Sequence, residues 1–146
     1  MERGTVSDIS VSYDISVISV NNTDFSKINE IISLLSDINV DMITMADTSS
    51  DLSTLMISVS DSDASACIEK INSATPSLSV LSSGNAKVSI RGAGFKNSPE
   101  KMAFVVDDII DCGVDIKLFS FSDTDFTVIC DSMYASDVLA ALKKYN

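Results

Sequence analysis

The chain has 146 residues, 45% apolar and 21% charged, enough to bury a core without disulfides or metal and too apolar for wholesale disorder. A net charge of −11 excludes the basic face that nucleic-acid phosphates or an anionic membrane surface require. The absence of histidine removes His-based metal sites, His general bases and the Ser-His-Asp triad together.

In chain order, Asp14 to Val20 reads as a strand, with Ile15, Val17, Ile18 and Val20 as its apolar positions. Asn21-Asn22-Thr23-Asp24 is a cluster of turn and N-cap residues. Ile28, Ile31, Ile32, Leu35 and Ile38 then fall at helical spacing, with Leu34 widening the stripe and Asn39 closing the helix. Val40 to Met45 is a short β-rich run, Thr48 to Asp51 a turn, and Leu55, Ile57 and Val59 alternate as a half-buried strand does. Asp61-Ser62-Asp63 caps a second helix through Ala64, Cys67, Ile68 and Ile71, which Pro76 ends.

The second half runs the same course. Leu78 to Leu81 and Ala86 to Ile90 are strands, Gly92-Ala93-Gly94 is a turn, and Ser98-Pro99-Glu100 starts a helix. Phe104, Val105, Ile109 and Ile110 mark that helix, which Gly113 ends. Ile116 to Phe121 and Phe126 to Cys130 are strands around Ser122 to Asp125, and Ala135, Val138, Leu139 and Leu142 form the last helix. A shift of 76 residues pairs Ile28 with Phe104, Leu34 with Ile110, Val40 with Ile116, Met42 with Leu118 and Asp47 with Asp123; it fails at Ile31 with Asp107 and Leu35 with Asp111. The repeat is one of architecture more than identity. It predicts an α+β fold of two ferredoxin-like (βαββαβ) modules, with helices on one face of each antiparallel sheet.

No phosphate loop, GxGxxG, HExxH or CxxC is present, so no catalytic, cofactor or metal residue is assigned. Gly92-Ala93-Gly94 follows a strand, but Asn97 stands where a dinucleotide fingerprint needs glycine. Asp107-Asp108 and Asp61/Asp63 read as caps and solubilising charges. Cys67, Cys112 and Cys130, an odd number without short spacing, read as reduced, buried thiols of a cytoplasmic protein. No stretch approaches the ~18 apolar residues of a membrane span, and the first residues carry no signal-peptide apolar core. Charge is uneven: residues 1–84 carry 12 acidic and 3 basic side chains, residues 85–146 carry 9 and 7. This reads as a solvated acidic face, or as a unit tuned to attract a cation. The informative constellation is Asn21 to Phe25 together with Ile38 to Met42. A helix N-terminus offers free N–H groups to a carboxylate, and an Asp at the adjacent strand takes an ammonium, a pair of devices that suits a free amino acid.

Three stretches carry a family resemblance. Ala86-Lys87-Val88-Ser89-Ile90-Arg91-Gly92-Ala93-Gly94-Phe95 resembles the "AKVSVVGAGM" of aspartokinase regulatory regions. Gly113 to Asp123 is similar to that region's "gInIemIsTSE", and Ile38-Asn39-Val40-Asp41-Met42-Ile43 to its "INIDMI". Their order and spacing agree, and the resemblance covers essentially the whole chain. It implies tandem ACT domains, one inserted in the other: 14–76 as the first, and 1–13 plus 77–146 as the second, with Gly4 to Val11 supplying a strand to the latter. It implies an amino-acid-binding regulatory module of an aspartokinase, sensing an end product such as lysine or threonine, with no catalytic domain in this chain. A homodimer and a kinase catalytic domain or subunit are the implied partners.

Carried over, the effector-binding residues are Asn21, Asn22, Thr23, Asp24, Phe25, Asn39, Val40, Asp41 and Asp47, with Ser122 and Asp123 in the second module. The sequence departs from the family where Thr23-Asp24 replaces Pro-Gly, and where Lys117 stands in the place of Asp41. A positive charge there repels an ammonium, which assigns the site to the first module. An ACT pair that has lost its ligand and only drives assembly is the alternative.

Overall fold

The computed structural model describes residues 6–47, 52–74, 79–92, 99–122 and 125–144. The expected turn at Thr48 to Asp51, the stop at Pro76, the Ala93-Gly94 turn, the Ser98 cap and Asp123 lie outside them. The elements are β1 (Val6–Asp24), α1 (Phe25–Leu34), β2 (Met42–Asp47), β3 (Leu52–Ser60), α2 (Ala64–Ala74), β4 (Ser79–Gly92), α3 (Pro99–Asp111), β5 (Ile116–Phe121), β6 (Asp125–Asp131) and α4 (Ala135–Lys144). A single 3-10 turn leads into α2 and another into α4.

Two compact units divide the chain: 14–84, and 1–13 with 85–146. Strands neighbour one another in the order β2-β3-β1-β4-β6-β5, and β1 with β3, β2 with β3, β4 with β6 and β5 with β6 pair antiparallel. β2 and β3 belong to the 14–84 unit, β5 and β6 to the other, and β1 and β4 give residues to both. Each unit thus carries the strand order of a ferredoxin-like βαββαβ module, as expected of a tandem pair. The inserted unit runs beyond residue 76, through the first half of β4, to Gly84.

In the 14–84 unit, Ser16, Ile18 and Val20 pair with Val59, Ile57 and Leu55. Alternation puts that row on one face, under α1 and α2. Ile18, Val20, Ile31, Leu35, Leu55, Ile57, Val59, Ala64, Cys67 and Ile71 form its buried core. The expected α1 stripe is corrected at two places. Ile32 is 42% exposed. Ile38 lies past the helix, which stops at Leu34 rather than near Asn39. Beyond it the amides of Leu35, Ser36 and Ile38 bond three residues back, to Ile32, Ser33 and Leu35. The Ser36-Asp37 pair disfavours further α-turns, since short polar side chains compete for the backbone.

In the other unit, Ala86, Val88 and Ile90 of β4 and Phe126, Val128 and Cys130 of β6 face Met102, Val105 and Ile109 of α3 and Ala135, Val138, Ala141 and Leu142 of α4. Ile9 and Val11 of β1 pack against this core. Phe126 is fully buried, and the rings of Phe119 and Phe121 meet it edge-on at 5.2 and 6.5 Å. Gly113 ends α3 in the left-handed region (φ 80°), its N–H donating to the Ile110 carbonyl at 2.9 Å. The Asp131 carboxylate accepts from the Met133 amide at the turn into α4, and Lys143 and Lys144 stand in the last turn, where the helix dipole favours cations.

β1 is continuous from Val6 to Asp24, and β4 runs from Ser79 to Gly92, joining the strands expected at Leu78 to Leu81 and Ala86 to Ile90.

Candidate functional site

The stretch Asn21 to Asp24 is the end of β1, not a turn, and α1 begins at Phe25. The pairing of β1 with β3 slips here. Val20 faces Leu55 and Thr23 faces Ser53, so Asn21 and Asn22 together oppose the single residue Thr54. Such a bulge bends a strand and re-aims its side chains, and it sits directly before the helix start where an anion site was expected. Asn21 is half-buried, and its side-chain oxygen accepts the Ser19 hydroxyl at 3.3 Å.

Asn39 is exposed and Val40 half-buried in the extended lead into β2. Asp41 is exposed and doubly tied to β3: its N–H donates to the Ser58 carbonyl at 2.8 Å, and the Ser58 hydroxyl donates to its Oδ2 at 3.1 Å. Ser58 is wholly buried. Period-2 alternation gives Ser58 only a face, opposite Ile57 and Val59, so nothing in the sequence marks it as the residue that orients Asp41. Asp47, the last residue of β2, pairs with Ser53, which also pairs with Thr23. Thr23, Ser53 and Asp47 therefore form one row across three strands, with the outer two about 10 Å apart.

Asp41 and Asp47 are not brought together within one chain. They lie at opposite ends of one extended segment, about 20 Å apart at the rise of a strand. No single lysine spans that distance. The end of β1 lies level with Asp47, and Asp41 lies near the β3 end that pairs with Ile15 to Val17. β2 is an edge strand, and its Ile43 and Met45 side chains are 40% and 46% exposed.

In the other unit, β5 and β6 slip between Ile116 and Leu118, leaving Lys117 as the extra residue. Leu118 follows it as Met42 follows Asp41. The Lys117 ammonium is held by Asp115 at 2.9 Å. The Ser122 hydroxyl accepts the Asp125 amide at 3.1 Å and the Ser122 amide donates to the Asp125 carbonyl at 2.8 Å, closing the β5–β6 turn.

Among the described residues no group of three or more Cys, Asp or Glu is placed to hold a metal. Cys67 and Cys130 are wholly buried, and Cys112, expected to be buried, is exposed because it falls just past the end of α3. Burial first, and the Asp63 carboxylate second, push the Cys67 thiol up from 9.0 to about 11. Burial, then Asp131 and Asp137, do the same to Cys130. Neither is a nucleophile near neutral pH. A cleft of about 320 Å³ lined by Asp108, Asp111, Cys112, Asp137, Ala140, Ala141 and Lys144 contains none of the candidate residues.

No protein-family model matches the chain. The aspartokinase of Geobacillus stearothermophilus is 30% identical over 97 residues, 66% of this chain and 24% of that protein, so the chain spans about a quarter of the curated relative it matches. The crystal structure of the regulatory subunit of aspartate kinase from Thermus flavus superposes with a TM-score of 0.83 at 23% identity, over 98% of this chain and 99% of that one. The chain has the fold of an aspartate kinase regulatory subunit. A third match is E. coli aspartokinase III in complex with lysine and aspartate (TM-score 0.68, 12% identity), where 96% of this chain covers 33% of that one.

Proposed function

We propose that this aspartate-kinase-type regulatory chain senses an amino acid, and that the site is completed only when two copies meet along β2. The observation that carries the reading is the placement of Asp41 and Asp47 at opposite ends of one edge strand. Antiparallel pairing of β2 with β2 of a second copy, centred on Thr44, sets Asp41 of one copy level with Asp47 of the other. The bulged end of β1 and the start of α1 lie on the same side as Asp47. Two facing acidic residues disfavour such a pair on their own. A ligand with an ammonium group offsets the repulsion, and the helix start receives its carboxylate. Lysine, with two ammonium groups, suits this arrangement better than threonine. The closure of Lys117 on Asp115 supports keeping the site on the 14–84 unit.

A kinase catalytic domain or subunit is the partner that such a chain regulates. Ligand binding shifts that partner only as far as affinity differs between its two states. The absence, among the described residues, of a helix long and apolar enough to cross a membrane accords with a cytoplasmic setting, as do three unpaired cysteines.

The test is thermal unfolding with each amino acid, paired with sedimentation velocity. A ligand at about 100 times its Kd stabilises by about 2.7 kcal/mol, or about 2–4 °C per kcal/mol at this size. Lysine is expected to raise Tm selectively and to shift the chain toward dimer, and Asp41→Ala to abolish both effects. A flat response to all amino acids in a dimeric protein would leave the assembly-only reading, and an unchanged affinity in Asp41→Ala would remove the site.

A further inference from the structure

The chain crosses between its two units at Tyr13/Asp14 and at Gly84/Asn85, on the neighbouring strands β1 and β4. The residue on the 14–84 side of each crossing is left-handed: Asp14 at φ 57° and Gly84 at φ 71°. Asp14 is the one non-glycine residue with positive φ among the described residues. Such a conformation is uncommon for a non-glycine residue and readily adopted by glycine.

Beside these crossings lies a polar cluster that the effector reading does not use. Ser16 is fully buried in the helix-facing row, in register with Ile18 and Val20, where an apolar residue would pack. A buried hydroxyl needs a partner, and Ser16 donates to Asp61 Oδ1 at 2.6 Å, the short distance of a charge-assisted bond. The same oxygen accepts the Gly84 N–H in a longer contact of 3.4 Å, and the Ser16 and Ser83 hydroxyls lie 3.1 Å apart. Asp61 belongs to the 3-10 turn that leads into α2. One carboxylate carried by the helix layer thus holds residues next to both crossings.

We infer that Asp61 is a clasp coupling helix α2 to the two connectors between the units, so that a displacement of α2 is carried into Ser16 and Gly84 rather than absorbed by them. Asp61 is a positioning residue and touches no ligand. The clasp stands without the effector reading. Where that reading holds, α1, which starts at the bulged end of β1 and packs on α2, links the two.

The experiment is hydrogen–deuterium exchange by mass spectrometry on the full chain without ligand, comparing wild type, Asp61→Ala, Asp61→Asn and Ser16→Ala. Losing one net hydrogen bond corresponds to a change of about tenfold. Asp61→Ala is expected to speed exchange about tenfold at 14–17 and 83–85, with β2 amides 44–46, which pair away from these segments, unchanged. Asp61→Asn, which keeps an accepting Oδ1, restores most of the protection. Ser16→Ala speeds the same two segments less. Unchanged exchange at the connectors, or a rise spread evenly over 14–84, would overturn the clasp. Should Asp61→Ala fail to fold, Asp61→Asn and Ser16→Ala decide by the same readout.

Discussion

Removing the Ser58 hydroxyl perturbs the candidate site without touching its carboxylate. Ser58 is wholly buried, yet its hydroxyl meets Asp41 Oδ2 at 3.1 Å on a residue that is itself exposed. In Ser58→Ala the carboxylate regains water, so the loss is the net worth of one hydrogen bond, about 0.5–1.5 kcal/mol. Exposure of the acceptor places it in the lower half of that range. The gap left by one oxygen is smaller than a methyl group and adds little. The expected destabilisation is therefore about 0.5–1 kcal/mol, or about 1–4 °C in Tm. Urea unfolding followed by far-UV circular dichroism on wild type, Ser58→Ala, Asp41→Ala and the double variant gives the coupling directly. A coupling of about 0.5–1 kcal/mol is expected, with Asp41→Ala costing at least as much as Ser58→Ala because it leaves the buried Ser58 hydroxyl without this acceptor. A coupling indistinguishable from zero, or a Ser58→Ala loss above about 3 kcal/mol, would show that the hydroxyl serves another buried group and that Asp41 is not oriented by it.

Gly113→Ala forces a side chain into φ 80°, and since no atom lies within 4 Å of the added Cβ, the cost is that of the backbone alone, about 1–2 kcal/mol in urea unfolding. At pH 8 a disulfide reagent is expected to label Cys112 rapidly and to reach Cys67 and Cys130 only on unfolding, at one thiol in the folded chain against three in urea. Because burial raises both thiols above 9.0, their contribution to stability is complete below pH 9 and is lost as pH climbs through about 11. A Cys67→Ala/Cys130→Ala chain should show a shallower loss of Tm across that window.

The second half of the fold was the more readable one. Pro99 at a helix start and Gly113 past its end each name one conformation, the apolar run Phe126 to Cys130 reads as a buried strand, and the elements begin and end close to where those residues put them. The boundaries that escaped are those where local chemistry and tertiary pairing disagree. Ser82-Ser83-Gly84-Asn85 has turn composition, yet β4 continues through it, with Gly84 in the left-handed region and its N–H directed to the Asp61 carboxylate. Asn21 to Asp24 reads as a helix cap, yet pairing with Leu52 and Ser53 extends β1 to the helix itself. At the site, residue types were legible and distances were not. Asp41 and Asp47 look like a carboxylate pair in a short sequence window, but six residue steps of extended chain separate them by about 20 Å. Ser58 and Ser16 carry no mark of burial, since a serine on a strand is ordinarily a solvent-facing residue.

The nested layout also orders events during synthesis. Ile9 and Val11 leave the ribosome well ahead of the core they pack against, which is built from residues 86–142. At about 5–20 residues per second that first strand waits seconds for its partners, while the 14–84 unit, whose strands and helices are contiguous, is already complete. The inserted unit is thus free to fold while its host is still being made. The host then closes on a strand that has stayed unpaired, an apolar edge exposed to misassembly for as long as translation of the second half lasts.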